Sequence, residues 1–346
     1  MSAIRVLIVD DSRTMQMIMA QKLSAEPDIE VIGFAGTALE AREKIKLLNP
    51  DVITLDVEMP EMNGIEFLRR IMKLRPMPVV MVSTLTEKSS DITIAALEIG
   101  AVDCVAKPKG DGTEGFVGLV EAIRGAARAD VKSAVSPHPQ QVKSPATYVP
   151  GKQLVAVGSS TGGVEALQTI LMNLPPNCPP ILIAQHMPGK FTKTLAMRLD
   201  KLCAPRISEA QDGDPVRPGT VYIAPGSDAH LEINGGDTPV CRLRQADPVN
   251  GHRPSVDVLF ESVARHCGSR SVGVILTGMG RDGAEGLLKM RQAGAITFGQ
   301  DEGTSVVYGM PRAAKALGAV QRELPIHLIA SEILNSTNSY KTGGVL

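Results

Sequence analysis

Between residues 4 and 124, two patterns of apolar and polar positions alternate along the chain. Short runs rich in Val and Ile are apolar throughout, as in parallel strands covered on both faces, and stretches with apolar residues at helical spacing lie between them. The predicted strands span 5–9, 30–34, 52–55, 79–82 and 102–106, and the predicted helices lie near 13–25, 37–48, 64–74, 88–99 and 114–127. Five such units in succession predict an α/β domain with a doubly wound parallel sheet.

This rhythm stops over residues 125–151. The segment 128–150 carries four prolines together with Ser, Gln and Lys, and it has no apolar periodicity. Proline restricts the backbone and interrupts regular structure, so this composition is typical of a semi-stiff linker. The chain is therefore predicted to form two domains, residues 4–124 and 152–340, joined by that linker.

The second domain returns to the α/β rhythm. Its predicted strands span 154–158, 181–185, 221–224 and 272–277, and helical stretches lie near 163–173, 190–201, 255–267 and 283–293. Residues 229–245 predict a small β excursion with a Gly-Gly turn at 235–236. The pattern indicates a second doubly wound parallel sheet, of Rossmann-like type.

Composition narrows the classes of function. The formal net charge is −1, so the overall charge of the chain does not favour binding to nucleic acid or to an anionic membrane. No apolar run approaches the ~20 residues of a membrane helix, and the N-terminus lacks the features of a signal peptide, so a cytoplasmic protein without membrane insertion is expected. The five cysteines are scattered without a CxxC pair, which argues against a zinc site or a disulfide framework.

Three carboxylates follow predicted strands of the first domain. Asp10 and Asp11 come directly after the first strand, and Asp56 ends the third. The carboxyl ends of parallel strands meet at one edge of a sheet, where open α/β proteins form ligand crevices. Carboxylates gathered there repel one another unless a cation lies among them, and hard oxygen ligands in a half-open site suit Mg²⁺.

A hydroxyl and a lysine follow two further strands at the same edge. Ser83 comes after the fourth strand and Lys107 after the fifth. A single aspartate after a strand is commonly a helix cap, but this combination at four strand ends favours a phosphoryl-accepting site. Asp56 is then the predicted nucleophile, Mg²⁺ and Lys107 neutralise the phosphoryl oxygens, and Ser83 bonds to the product.

A glycine-rich turn, Ser159-Ser160-Thr161-Gly162-Gly163, follows the first strand of the second domain. Such a strand-to-helix turn either cradles a phosphate or presents a nucleophilic serine beside backbone N–H donors. It matches neither GxGxxG nor a Walker sequence nor GxSxG, so the turn alone leaves both chemistries open.

A histidine and an aspartate follow two other strands of this domain. His186 comes after the strand at 181–185, and Asp282 lies in the loop TGMGRDG after the strand at 272–277. A serine needs a neighbouring base, and the base needs a carboxylate, so Ser160, His186 and Asp282 at one edge predict a serine hydrolase. His230, His252 and His266 are alternative bases; His266 lies in a helical stretch, and His252 is expected to line the site with Arg253.

The motifs VDDS, LDVEMPEMNG, MVST and KP resemble the receiver domain of bacterial response regulators, over roughly residues 4–124. The resemblance implies a flavodoxin-like fold and a histidine kinase as phosphodonor. Receiver domains usually carry an aromatic switch residue three positions before the lysine, where this chain has Cys104. Signal relay is therefore expected to depend on Ser83 and the loop after it.

The motifs GSSTGG, QHMP, VYIAPG, GHRPSVDVLF, GVILTGMGRDGAEG and YGMPRAA resemble the chemotaxis response-regulator protein-glutamate methylesterases, over about 152–335. The resemblance places the nucleophile on Ser160, the base on His186 and the carboxylate on Asp282, with oxyanion donors at the Met279 and Thr161 amides. It implies hydrolysis of glutamate methyl esters on methyl-accepting chemotaxis receptors, deamidation of receptor glutamines, a chemotaxis histidine kinase as partner, and no cofactor for the esterase chemistry.

Two other functions are weighed against this interpretation. A non-catalytic output domain that binds a nucleotide would explain the glycine-rich turn. A dinucleotide site, however, requires an acidic residue about 20 positions after a GxGxxG, and the sequence lacks this combination. A DNA-binding regulator would need a basic recognition helix, and the sequence offers none. Ser159 stands where the methylesterases are expected to have alanine, so the sequence leaves two adjacent hydroxyls to be told apart.

Overall fold

The computed structural model describes residues 3–59, 62–84, 86–108, 116, 118–131, 148–226, 229–235 and 237–339. The chain divides into two compact units, Met1–Ser136 and Pro137–Leu346. Most of the predicted linker, 132–147, lies outside the described residues, as does Gly236 of the predicted Gly-Gly turn. The domain limits deduced from the sequence therefore stay predictions.

The first unit is a parallel α/β domain, as predicted. Within its described residues one sheet has five strands in the order β2-β1-β3-β4-β5, and every neighbouring pair is parallel. The strands are β1 Ile4–Val9, β2 Ile29–Ala35, β3 Val52–Asp56, β4 Val79–Ser83 and β5 Asp103–Ala106; the helices are α1 Arg13–Ser24, α2 Ala38–Leu48, α3 Gly64–Leu74, α4 Glu87–Ile99 and α5 Leu119–Ala126.

Continuous burial explains the apolar runs of this unit. All residues of β3 and β4 are buried, including the polar Asp56 and Ser83 at their carboxyl ends. Helices α1 to α4 begin at side-chain caps, for example at Ser12 and Thr37, whose hydroxyls accept hydrogen bonds from backbone N–H groups of α1 and α2. Apolar faces thus cover the sheet and leave its carboxyl edge to polar groups.

The second unit contains a larger parallel sheet. In its described residues seven strands run in the order β14-β13-β12-β6-β7-β9-β8, all pairs being parallel, and β10 and β11 form a separate antiparallel hairpin. The strands are β6 Leu154–Ser159, β7 Ile181–Gln185, β8 Arg206–Glu209, β9 Thr220–Ile223, β10 His230–Asn234, β11 Val240–Arg244, β12 Ser271–Ile275, β13 Ile296–Gln300 and β14 Arg322–Leu324. The helices are α6 Gly163–Leu171, α7 Gly189–Leu202, α8 Val256–His266, α9 Ala284–Gln292, α10 Met310–Ala316 and α11 Ile326–Thr337.

Several elements of the second unit lie outside the predicted pattern. The strands β8, β13 and β14 and the helices α10 and α11 were not predicted. The prediction that a strand runs to Thr277 was wrong, because β12 ends at Ile275 and the Thr277 hydroxyl donates to the Thr161 carbonyl at 3.0 Å. The side chain of Thr277 thus joins two loops beyond the strand ends.

The close packing of α8 on the sheet depends on a glycine at the end of β6. A Cβ at Gly158 would lie 2.1 Å from Val256 Cγ1, the first residue of α8. Only a residue without a side chain lets the helix start so near the strand, and this brings the N-terminus of α8 beside the loops that follow β6 and β12.

No helix in the described part of the chain is long and apolar enough to cross a membrane.

Candidate active site

The three residues predicted for hydrolysis follow three neighbouring strands. Ser160 follows β6, which lies between β7 and β12 in the sheet. His186 follows β7, and its backbone N–H donates to the Ser159 carbonyl at 3.0 Å. Asp282 lies in the loop after β12, and its Oδ2 lies 2.8 Å from His186 Nε2. The structure therefore joins histidine and aspartate directly and places the serine turn beside them.

The two adjacent serines have different surroundings. Ser159 is fully buried, and its hydroxyl donates to Gln185 Oε1 at 2.6 Å. Ser160 is partly exposed, and among the described residues its hydroxyl makes no hydrogen bond. Only the Ser160 hydroxyl is thus accessible to a substrate.

Gln185 connects the serine turn to the histidine loop. Its Nε2 donates to the Ser160 carbonyl at 2.9 Å and to the His186 carbonyl at 3.0 Å. Gln185 belongs to the motif QHMP, but no role was predicted for it. The available signal was an uncharged polar side chain at the end of a buried strand, because a buried amide has to find hydrogen-bond partners.

Asp282 is held as a carboxylate. It is buried, and it accepts hydrogen bonds from Asn250 Nδ2 at 2.9 Å, Ser255 Oγ at 2.8 Å and the backbone N–H of Val256 at 2.7 Å. Burial opposes ionisation, but the hydrogen bonds from His186 and Asn250 outweigh it and hold the pKa of Asp282 well below its usual range. Its position at the N-terminus of α8 also favours negative charge.

The contact with Asp282 determines the tautomer of the His186 ring. Because the carboxylate accepts from Nε2, the proton of the neutral ring lies on Nε2 and the lone pair on Nδ1. Nδ1 is buried and has no hydrogen-bond partner in the described part of the chain. An unpartnered buried nitrogen beside a serine turn can accept the serine proton.

The other histidines of the sequence analysis lie in different settings. His252 stacks on His186, with ring centroids 3.7 Å apart and an angle of 8° between the planes. His230 is buried and hydrogen-bonded to backbone, with Nδ1 accepting from the Ser255 N–H at 3.1 Å. His266 ends α8. Arg253 donates to the Ala246 carbonyl at 2.9 Å, so it braces the loop that carries His252.

The loop after β12 is clamped close to the serine. The Gly278 carbonyl accepts from the backbone N–H groups of Gly309 and Met310, and a Cβ at Gly278 would lie 2.7 Å from Ser160 Cβ. The N–H of Met279, the next residue, makes no hydrogen bond to any described residue. Such a donor is available for an oxyanion.

The glycine-rich turn is poorly suited to hold a phosphate. The Ser160 N–H donates to the Thr277 carbonyl at 3.0 Å, and the Gly163 N–H donates to the Ser160 carbonyl at 2.8 Å. A phosphate cradle needs amides that point at the ligand, and these two are already used.

The acidic cluster of the first unit forms at the carboxyl edge of its sheet. Asp10, Asp11 and Asp56 each offer a carboxylate oxygen, and these oxygens lie within 4.8 Å of one another. Lys107 Nζ lies 2.8 Å from Asp56 Oδ2 and 2.9 Å from Asp10 Oδ2. Three hard oxygen donors with one member exposed to solvent fit a divalent cation such as Mg²⁺.

Charge in this pocket is only partly balanced. Burial raises the pKa of Asp56 to about 6, although Lys107 opposes the shift. Burial would lower the pKa of Lys107, but its hydrogen bond to Asp56 and its ion pair with Asp10 raise it above the usual range. The pocket therefore contains a lysine cation beside a carboxylate that is costly to ionise, and added positive charge would stabilise it.

Ser83 lies at the end of β4, next to this pocket. It is buried, and its hydroxyl donates to the Thr84 carbonyl at 3.2 Å. Thr84 contacts Ser89 at 2.9 Å, and the Ser89 hydroxyl donates to Glu58 Oε1 at 3.0 Å, which links the β4–α4 loop to the loop after Asp56. Cys104 is a buried member of β5, and burial raises the pKa of its thiol.

Comparison of this chain with known proteins gives consistent matches in both units. The family model for CheB methylesterase matches residues 155–333, and that for the response regulator receiver domain matches residues 6–113. A protein of Agrobacterium fabrum, named protein-glutamate methylesterase/protein-glutamine glutaminase, is 55% identical over 349 residues that cover 99% of each chain. A protein of the same name from Rhizobium etli is 57% identical over 98% of each chain.

A solved structure matches the second unit. The CheB methylesterase catalytic domain of Thermotoga maritima superimposes with a TM-score of 0.52 at 42% identity, covering 54% of this chain and 99% of that one. The fold of the unit that contains Ser160, His186 and Asp282 is therefore the fold of that catalytic domain.

Proposed function

The chain belongs to the CheB methylesterase family, and on that premise we propose that it hydrolyses glutamate methyl esters of chemotaxis receptors with a triad of Ser160, His186 and Asp282. The relatives and the family models make it a protein-glutamate methylesterase/protein-glutamine glutaminase with a receiver domain. The observation that carries the triad is the 2.8 Å contact of His186 Nε2 with Asp282, which leaves Nδ1 without a hydrogen-bond partner in the described part of the chain, in a loop that Gln185 joins to the Ser160 turn.

Acylation begins with proton transfer from the Ser160 hydroxyl to His186 Nδ1. The oxygen then attacks the ester carbonyl carbon, and the carbonyl π electrons move to oxygen as a tetrahedral intermediate forms. The Met279 N–H donates to this oxyanion, together with the Thr161 amide. Asp282 stabilises the imidazolium through Nε2 without taking its proton.

Collapse of the intermediate breaks the bond to the alkoxy oxygen. His186 returns its proton to the leaving group, and methanol departs from an acyl ester on Ser160. Water then gives a proton to Nδ1 and attacks the acyl carbon, which releases the glutamate carboxylate and restores the serine. With a glutamine side chain, the same steps release ammonia.

Phosphorylation of Asp56 regulates this activity in our proposal. Asp10, Asp11 and Asp56 would hold Mg²⁺, which neutralises phosphoryl and carboxylate charge during transfer. Lys107 binds phosphoryl oxygens, and Ser83 turns its hydroxyl from the Thr84 carbonyl to the new phosphoryl group. The phosphodonor is a chemotaxis histidine kinase. The Ser83–Thr84 loop carries the change, since Cys104 has no ring to rotate.

The test is the reaction of the full chain with receptor membranes. Membranes with methyl-labelled receptors should release methanol, and receptors with unmodified glutamines should release ammonia, faster in each case with a small-molecule phosphodonor and Mg²⁺. A labelled phosphonofluoridate should attach to Ser160, as shown by peptide mass spectrometry. Label on Ser159 or on another residue, or methanol release that survives complete labelling, would refute the triad.

A further inference from the structure

His252 lies face to face with the histidine of the proposed triad. The ring centroids of His252 and His186 are 3.7 Å apart, and the planes differ by 8°. The stack on His186 is the ring contact that the structure gives for His252. The side chain of His186 is 7% exposed, and the stacked ring is part of what covers it.

The backbone around His252 is fastened to the same carboxylate that binds His186. Val249 and His252 exchange two backbone hydrogen bonds of 3.0 Å, which closes a tight loop. Asn250 lies in this loop with a left-handed backbone, φ 53°, and its Nδ2 donates to both Asp257 and Asp282. The position of the His252 ring is therefore set relative to Asp282.

A single hydrogen bond does not fix the orientation of the His186 imidazole ring. The contact from Nε2 to Asp282 fixes one atom of His186, but the ring can still tilt about that atom and move Nδ1 away from the serine. A parallel ring packed against one face removes that tilt, because edge-on rotation would break the stack. The carboxylate and the stacked ring together constrain the imidazole in position and in plane.

The stacked ring is also compatible with the charge that forms during the reaction. Burial and the proximity of His186 lower the pKa of His252 to about 4, although Asp282 opposes the shift. At neutral pH His252 is therefore uncharged. When His186 becomes an imidazolium, it faces a neutral π surface rather than a second cation.

We propose that His252 is a positioning residue for the esterase reaction, stacked on His186 to keep Nδ1 aimed at the Ser160 hydroxyl. The proposal rests on the proposed triad. It assigns to the loop between β11 and α8 a role in base orientation, without contact between His252 and the reacting atoms.

The kinetic test uses the full chain with three substitutions. His252→Gln keeps length and polarity without a ring, His252→Phe keeps a stacking ring without titration, and His266→Ala is a matched histidine control at the end of α8. With receptor membranes, His252→Gln should lower kcat by about 10- to 100-fold with unchanged KM, as expected for a misplaced base. His252→Phe should restore most of kcat, and His266→Ala should match the wild type.

A spectroscopic test separates orientation from general damage. In full chain labelled with ¹⁵N-histidine, the ring shifts of His186 should show the proton on Nε2 in the wild type and in His252→Phe. In His252→Gln the ring signals should be shifted and broadened by motion of the ring, while the proton stays on Nε2 because Asp282 still accepts it, with an unchanged urea midpoint. The rate of phosphonofluoridate labelling at Ser160 should fall in parallel with kcat.

Several results would overturn the proposal. Wild-type kcat in His252→Gln would do so, as would a raised KM with unchanged kcat, because that marks a substrate contact. A lowered kcat with unaltered His186 shifts would also count against it, and so would unfolding of His252→Gln with no rescue by phenylalanine. If instead Ser160→Ala stays active in the same assay, the proposed triad fails, whatever the His186 shifts show.

Discussion

Ser159 Oγ and Gln185 Oε1 are joined by a buried hydrogen bond of 2.6 Å. The same glutamine donates to the carbonyl groups of Ser160 and His186. Ser159 therefore supports the amide that holds the two loops together, and its hydroxyl is committed to that contact. The neighbouring hydroxyl of Ser160 remains for chemistry, which separates two residues that look equivalent in the sequence.

This difference predicts opposite outcomes for two alanine substitutions. Ser160→Ala should lower methanol release by about 10⁴-fold or more with unchanged stability, because the nucleophile is lost. Ser159→Ala should keep most of the activity but lower the free energy of unfolding by about 1–3 kcal/mol, because Gln185 Oε1 is left buried without a donor. Initial rates and urea titrations measure the two effects. Activity lost only in Ser159→Ala would reverse the assignment.

The base and its carboxylate should differ in importance. We expect His186→Ala to be as damaging as Ser160→Ala, since no other group takes the serine proton. Asp282→Asn should be milder, because the carboxylate orients and stabilises His186 without transferring a proton. Methanol release at saturating substrate compares the three variants. An Asp282→Asn enzyme with wild-type kcat would remove the carboxylate from the mechanism.

Phosphorylation should require both Asp56 and a divalent cation. The carboxylate of Asp56, the proposed nucleophile, lies in a cluster whose oxygens are within 4.8 Å, and it would repel an incoming phosphoryl group without added positive charge. Incorporation of ³²P from acetyl phosphate should be abolished in Asp56→Asn and in EDTA, and Mg²⁺ should restore it in the wild type only. Normal incorporation in EDTA would contradict the metal site.

The same carboxylate predicts a pH dependence of stability. The folded-state pKa of Asp56, about 6, exceeds the unfolded value of 3.8, so the folded state binds more protons between these values. Without Mg²⁺, this group should therefore stabilise the fold as pH falls from about 6 towards 4.

A substitution isolates that contribution. Asp56→Asn should be more stable than the wild type above pH 6, and the difference should shrink as pH falls. Calorimetry of the full chain in EDTA measures this difference in stability. The transition to follow is the one whose midpoint temperature rises when Mg²⁺ is added to the wild type. A difference that grows with acidification would contradict the raised pKa.

The coupling of the two units gives a further prediction. The chain divides into two compact units, and Asp56 and Ser160 lie in different units, so regulation requires that the state of the first unit alters the activity of the second. We expect the unphosphorylated receiver to inhibit hydrolysis, and phosphorylation at Asp56 to relieve that inhibition. A hundredfold change in active population corresponds to about 2.7 kcal/mol, which lies within the usual range of coupling free energies between two sites.

The fragment from Leu154 to the C-terminus tests this expectation. It should release methanol faster than the unphosphorylated full chain, and phosphodonor should accelerate the full chain only. Rates at matched concentrations give the comparison. A fragment slower than the intact, unphosphorylated protein would favour recruitment of receptors by the receiver instead of inhibition.

Topological rules account for what the sequence predicted well. Because parallel strands end at a common edge, Asp10, Asp56 and Lys107 were expected to meet, and the structure brings them within ion-pair distance. The same rule placed His186 and Asp282 at one edge. An apolar run that predicts a buried strand involves several residues, so one irregular position does not obscure it.

Local geometry accounts for what the sequence could not predict. The edge strands β8 and β14 face solvent and are partly polar, so no apolar run marks them. Helix α10 carries a proline in its first turn, which resembles a break in the pattern. The choice of Nε2 over Nδ1 and the stacking of His252 depend on the loop that carries Asn250, and loop conformation is not encoded in periodicity.

The order of strands in the second unit has a consequence for folding: the residues of the proposed esterase site are far apart in the sequence. The hydrogen bond from Thr277 to Thr161, at the ends of β12 and β6, spans 116 positions, and the contact of His186 with Asp282 spans 96. Contacts of such separation form late, because the entropy of closing a long loop has to be overcome first. Recovery of esterase activity after dilution from denaturant should therefore lag behind recovery of helical circular dichroism. The delay should report how late in folding β6 pairs with β12.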